Sequence, residues 1–182
     1  FGLFQLYQEG NPLKVLDGLG LSFALEQTNL KKYPTCACSH AALDAAFALI
    51  REHDLKPEDV SAIEVVHSPL MHRLVGAPFA PSGNPQVTAQ FSVRYALASA
   101  LLRRRVAIDD IQEAAVLDPA IRAITERIAV VVDEDNKSAR APATVSMQTR
   151  HGRLSRTVHE FPWSAEAPPS GEELAAKIDA CF

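Results

Sequence analysis

Residues 118–161 read DPAIRAITERIAVVVDEDNKSARAPATVSMQTRHGRLSRTVHEF, and the fold class turns on where their apolar period changes. Asp118 followed by Pro119 has the form of a helix start. The acid caps free N–H groups, and the proline sits at the first helical position, where its missing N–H costs nothing. Ile121, Ile124 and Ile128 then recur at helical spacing as one buried stripe. From Val130 the period drops to two, through Val130–Val132, then Ala143–Thr149, then Leu154–Phe161. His151 and Gly152 join the last two runs as a two-residue hairpin turn of the kind that needs positive φ.

The same alternation of elements extends upstream. A helix is expected from about Val87 to Leu102, with Phe91, Tyr95, Ala98 and Leu102 on one side. Pro78, Pro81, Gly83 and Pro85 mark a long irregular loop before it, and loops of that size often carry function. Ile63, Val65 and His67 form the inner face of a strand after a turn at Lys56–Asp59. Ser39 can cap a helix running to about His53, whose buried stripe is Leu43, Ala46, Phe47 and Ile50. Leu21, Phe23 and Leu25 alternate with Ser22, Ala24 and Glu26, the period of a half-buried strand.

Both ends read as helices. Phe1–Tyr7 is an apolar helix tail stopped at Glu9-Gly10-Asn11-Pro12. Pro162–Pro169 is a linker, after which Ser170 and Glu173 make a capping box for a last helix with Leu174, Ile178 and Cys181 on its apolar side. Interleaved helices and strands with a terminal hairpin predict an α+β fold, a small, mainly antiparallel sheet covered by helices on one face. The chain begins at Phe1 rather than Met, which suits an excised piece of a longer protein.

Composition narrows the function classes. The 182 residues are 47% hydrophobic and 22% charged with net charge −4, ordinary for a globular domain. Such a balance argues against unspecific nucleic-acid binding, which needs a surplus of cations to displace phosphate counterions. Arg103-Arg104-Arg105 reads as a solvated helix end complementing the C-terminal dipole. Three cysteines, two of them only two positions apart, suit a reducing compartment and hence a cytoplasmic location. No run approaches the ~20 apolar residues of a membrane span, so no membrane partner is expected.

The densest polar cluster is Lys31-Lys32-Tyr33-Pro34-Thr35-Cys36-Ala37-Cys38-Ser39-His40. If extended, it places Lys32, Pro34, Cys36 and Cys38 on one face and Lys31, Tyr33 and Thr35 on the other. It then meets a helix start, where free N–H groups and the dipole favour an anion. One reading is a carboxylate or phosphate site; the other is a charged strand edge running into a capped helix. Cys36, Cys38 and His40 are too closely spaced, and lack a fourth ligand, for a structural zinc, so no metal site is expected. His67, His72 and His159 read as ordinary surface or edge histidines. There is no G-x-S-x-G, P-loop or G-x-G-x-x-G, and Gly18-Leu19-Gly20 lacks the third glycine of a nucleotide-binding turn.

Taken in order, these motifs resemble a known family. Leu30–Cys36, followed by Ser39-His40 and Leu43-Asp44-Ala45, is similar to the L-K-x-Y-P-x-C…[ST]-H-x-x-[IL]-D-A run of the MmgE/PrpD (2-methylcitrate dehydratase) family. Ala89–Tyr95 resembles its A-[KQ]-F-S-[LV]-x-Y helix start, Asp118–Ile121 its D-P-x-[VI] helix, Pro142–Val145 with His151-Gly152 its hairpin, and Pro168–Lys177 its last helix. Arg94 stands where a proline is common, and Arg104 where a glycine is expected.

The resemblance implies a two-domain enzyme in which this chain is the C-terminal α+β lid. Residues 1–20 would then end a helical domain absent from the chain, 21–162 would form the lid, and 163–182 would return to the helical domain. It implies a cofactor-independent lyase or isomerase acting on small polycarboxylates by dehydration, decarboxylation or epimerisation, homodimeric when intact. The lysine of the K-x-Y-P motif carries over to Lys31. His40 is a second catalytic candidate, as proton carrier or carboxylate donor, with Tyr33, Ser39, Gln90 and Ser92 as supporting substrate contacts. The remaining catalytic groups would lie in the helical domain, so the piece alone is expected to be inactive. The competing readings are a stand-alone carboxylate-binding module and an oligomerisation domain.

Overall fold

The computed structural model describes residues 11, 14, 16–23, 25 and 28–181, so the expected helix tail at Phe1–Tyr7 lies outside the described residues. Four strands form one sheet in the order β2-β1-β3-β4, with β1 at Val60–His67, β2 at Ile128–Val132, β3 at Ala143–Thr149 and β4 at Gly152–Val158. β1 pairs antiparallel with β3, and β3 with β4, but β1 and β2 run parallel, so the sheet is mixed. The parallel pair follows from the connection. Residues 68–127 are a helical excursion that returns the chain to the same end of the sheet, which a tight hairpin cannot do.

Seven α-helices accompany the sheet among the described residues: α1 (His40–Glu52), α2 (Pro69–Val75), α3 (Pro85–Gln90), α4 (Val93–Arg103), α5 (Glu113–Val116), α6 (Pro119–Thr125) and α7 (Gly171–Asp179). The strand alternation behaves as read: Ile63, Val65 and His67 are buried while Ala62 is exposed. The neighbouring strands match them in register with Ile128, Val145 and Met147. α1 packs on β3 and β4, and α4 packs between α1 and α6. Leu43 and Ile50 are fully buried on α1 with Ala42, Ala45 and Ala46 beside them, so the alanines let the helix sit close to neighbours on more than one side. Burying a leucine or isoleucine side chain contributes about 1.5–3 kcal/mol of transfer free energy.

Two expectations about single elements change. The helix expected over Val87–Leu102 is two helices, because Ser92 has extended backbone (φ −125°, ψ 115°) and its hydroxyl accepts from the Tyr95 N–H at 3.2 Å. Ser92 thus starts α4 as a cap, and Asn84 does the same for α3 by accepting from Val87 N–H at 3.1 Å. Phe91, at the break, points to solvent. No strand occurs among the described residues of the span 21–25: Leu21, Phe23 and Leu25 are exposed, and residues 17–21 form a turn in which Gly18 and Gly20 take positive φ. Alternation without a sheet edge to pair with does not make a strand.

The two arginines that depart from the family pattern have structural work. Arg104 occupies the left-handed position that ends α4 (φ 57°), which is why glycine suits that slot. Arg94 donates to the carbonyls of Gly76, Ala77 (2.8 Å) and Ile128 (3.1 Å), tying the end of α2 to the start of β2.

Candidate functional site

The Lys31–His40 segment is bent rather than extended. Residues 32–35 form a series of bends and Ala37–Ser39 a 3-10 turn that runs straight into α1. The Cys36 N–H donates to the Gln90 carbonyl at 2.8 Å, which pins the segment to the end of α3. Because the 3-10 turn already gives Ser39 helical backbone (φ −95°, ψ −12°), its hydroxyl does not cap α1 as expected. The buried hydroxyls of Ser39 and Thr35 have no hydrogen-bond partner among the described residues.

Tyr33 is buried, and its hydroxyl donates to one carboxylate oxygen of Asp44 on α1 while Lys32 Nζ sits 3.0 Å from the other. Burial first, and then the Asp44 charge, raise the Tyr33 hydroxyl far above the usual phenol range, so it stays protonated. Lys32 also reaches Glu173 at the start of α7, at 3.5 Å. Asp44 was present in the sequence only as part of the family pattern. A carboxylate among the alanines and leucines of a buried helix was the signal that could have singled it out.

His40 opens α1 with no exposed surface, and neither ring nitrogen meets a well-formed hydrogen bond among the described residues. Its ring stands edge-on to Tyr33 (centroids 5.3 Å apart) and stacks on Phe161 (5.6 Å, 15° between planes). Burial lowers its pKa to about 4, with the Lys31 charge adding to the shift, while the nearby Thr35 and Tyr33 backbones oppose it. The imidazole is therefore neutral at pH 7, and the burial that disfavours its cation leaves it without the charge to grip a carboxylate.

Lys31 is exposed and makes no ion pair among the described residues. Cys38 Sγ lies 3.3 Å from the Ala139 carbonyl. The Cys36 thiol is held below the usual range, first by the Cys38 side chain and then, against burial, by the Cys38 backbone and the Lys31 and Arg140 charges. Arg140 and Phe161 escaped notice in the sequence, since a loop arginine and a strand-end phenylalanine carry no spacing that marks them. Of the sequence-selected residues, Lys31, Tyr33, Ser39 and His40 share this segment and Gln90 holds it in place. The Ser92 hydroxyl is committed to capping α4.

The other histidines divide. His67, read both as an inner-face strand residue and as a surface or edge histidine, follows the first reading: it is wholly buried at the end of β1, with neither nitrogen hydrogen-bonded among the described residues and its ring 5.9 Å from that of His72. It faces inward because it continues the Ile63–Val65 alternation. His159 is exposed just beyond β4. No group of three or more His, Cys, Asp and Glu side chains that could hold a metal occurs among the described residues. No helix among them is long and apolar enough to cross a membrane.

Comparison with known proteins bears on the whole arrangement. No curated protein matches the chain. The family model for the MmgE/PrpD C-terminal domain matches residues 33–182, a span that holds the entire sheet, all seven helices and most of the polar segment. The chain therefore belongs to the MmgE/PrpD family, and residues 33–182 are its C-terminal domain.

Proposed function

We propose that this domain is the lid of a lyase or isomerase acting on small polycarboxylates without an organic cofactor, and that its Lys31–His40 segment faces the substrate. The family membership of residues 33–182 is the observation that carries this reading. Lys31 holds a substrate carboxylate, a role supported by its exposure and its lack of an ionic partner among the described residues. His40, kept neutral by burial, serves as the proton carrier. Tyr33 and Ser39 line the approach, with Gln90 and Ser92 beside them. The Asp44–Tyr33–Lys32 network supports the role of Lys31 by fixing the backbone next to it.

In this reading residues 1–20 are the end of a helical domain and a linker, and residues 163–182, the close of the matched span, are a linker and helix that return to that domain, which supplies the other catalytic groups in a cytoplasmic homodimer. The outward-facing Leu174 and Ile178 of α7 support that placement, since an apolar stripe on a helix otherwise lacks a surface to cover it. The test is a panel of hydroxy-tricarboxylates, cis-aconitate and iminodisuccinate offered to the intact enzyme, with alkene absorbance followed for the first two and a stereochemical readout for the third. Turnover of one class by the intact enzyme and none by the 182-residue chain is the expected outcome. Turnover by the chain alone would overturn the two-domain reading.

A further inference from the structure

The polar segment has a neighbour that the family pattern of the sequence did not include. The loop between β2 and β3, residues 133–142, comes back against Lys31–His40, with the Ala139 carbonyl 3.3 Å from Cys38 Sγ. The next residue, Arg140, holds its guanidinium 5.2 Å from the centre of the Phe161 ring, and Phe161 in turn stacks on His40. Arg140 is exposed and makes no ion pair or hydrogen bond among the described residues. It lines a polar cavity of about 540 Å³ with Asn29, Ser138, His159 and Ser164, and that cavity also holds Glu160 and Glu166. Neither glutamate forms an ion pair with Arg140 among the described residues.

A guanidinium laid on an aromatic face keeps its edge free for a planar anion, and stacking restricts its motion before the anion arrives. Asn29, two residues before Lys31, lines the same cavity as Arg140, and the Leu30 N–H donates to the Trp163 carbonyl at 3.2 Å beside the cavity's Ser164, so the chain carries Lys31 away from the rim of the cavity that Arg140 lines. Two carboxylates of one small molecule need two cations set apart in this way, and the planar fork of arginine suits a bidentate grip on one of them.

We propose that Arg140 is a second carboxylate-binding residue of this site, gripping one carboxylate of a di- or tricarboxylate while Lys31 holds another. The proposal rests on the function proposed above. Arg140 positions substrate and takes no proton, so it acts on binding more than on the chemical step.

The experiment is steady-state kinetics of the intact enzyme with Arg140→Gln and Arg140→Lys, using whichever polycarboxylate the wild type turns over. An analogue with that carboxylate replaced by an amide is run in parallel, and a thermal melt is taken for each protein. Arg140→Gln should raise KM about tenfold or more with kcat within about threefold, and Arg140→Lys should recover part of the loss. On the amide analogue, Arg140→Gln and wild type should differ by less than about threefold, and the melts should coincide. Unchanged KM in an active enzyme overturns the role of Arg140 and leaves the family function standing. A loss that follows a lowered melting temperature, or that persists on the amide analogue, also overturns it. A wild type that turns over no polycarboxylate overturns both.

Discussion

Acid should unfold this domain through two histidines before most of its carboxylates are involved. His40 and His67 are fully buried with no well-formed hydrogen bond to either ring among the described residues, and burial lowers both pKa values to about 4. For His67 the His72 ring and the Arg94 charge add to the shift. In the unfolded chain each imidazole returns to its ordinary value near 6.5. Between those values the unfolded state binds protons that the folded state refuses, so stability is fully present above about pH 6.5 and is lost as pH falls towards 4. At pH 5 the unfolded imidazole is almost wholly protonated and the folded one mostly neutral, which costs about 2 kcal/mol per histidine, or about 4 for the pair. Urea denaturation at pH 7.5, 6 and 5 reads this as a falling midpoint at constant m. His67→Phe should remove about 2 kcal/mol of the difference between pH 7.5 and 5, whatever it does to stability at pH 7.5. A wild type that loses less than about 1 kcal/mol across that range, or a His67→Phe variant with an undiminished acid slope, would refute the account of these buried rings.

Other substitutions probe the frame around the site. Arg94→Ala strands the carbonyls of Gly76, Ala77 and Ile128 and should cost about 2–4 kcal/mol in urea denaturation, with Arg94→Lys in between. Asp44→Ala leaves the buried Tyr33 hydroxyl without its acceptor and Lys32 without its nearer partner, at a cost of about 1–3 kcal/mol. The phenol should then titrate at lower pH in an ultraviolet absorbance titration, because one of the causes that raises it is gone.

Much of the fold was readable because most elements carry their own local instructions. Asp118-Pro119 and Ser170 with Glu173 form the caps that they spell, whereas the hairpin turn falls at Arg150-His151, one residue before the expected His151-Gly152, and Gly152 opens β4 at φ 120° opposite Thr149. What escaped depended on distant partners. The parallel pairing of β1 with β2 is set by the helical excursion between them and leaves no mark in either strand. Leu21–Leu25 has strand period but no partner edge, and Ser92 was read as helix interior although its hydroxyl starts a new helix. At the site, the segment itself stood out by composition. Asp44 and Arg140 did not, since a residue brought alongside by folding has no spacing relation to what it meets. The burial of His40 was equally invisible, because it depends on Phe161 arriving from the far end of the chain.

The most direct measurement is kcat/KM of the intact enzyme with Lys31→Ala, on the polycarboxylate it turns over, beside a urea melt of the same variant. Lys31 is exposed, so its truncation should move stability by less than about 0.5 kcal/mol. Loss of one charge-assisted contact to a carboxylate should lower kcat/KM by about 10- to 100-fold. Wild-type kinetics in a variant of unchanged stability would contradict the claim that this segment faces the substrate.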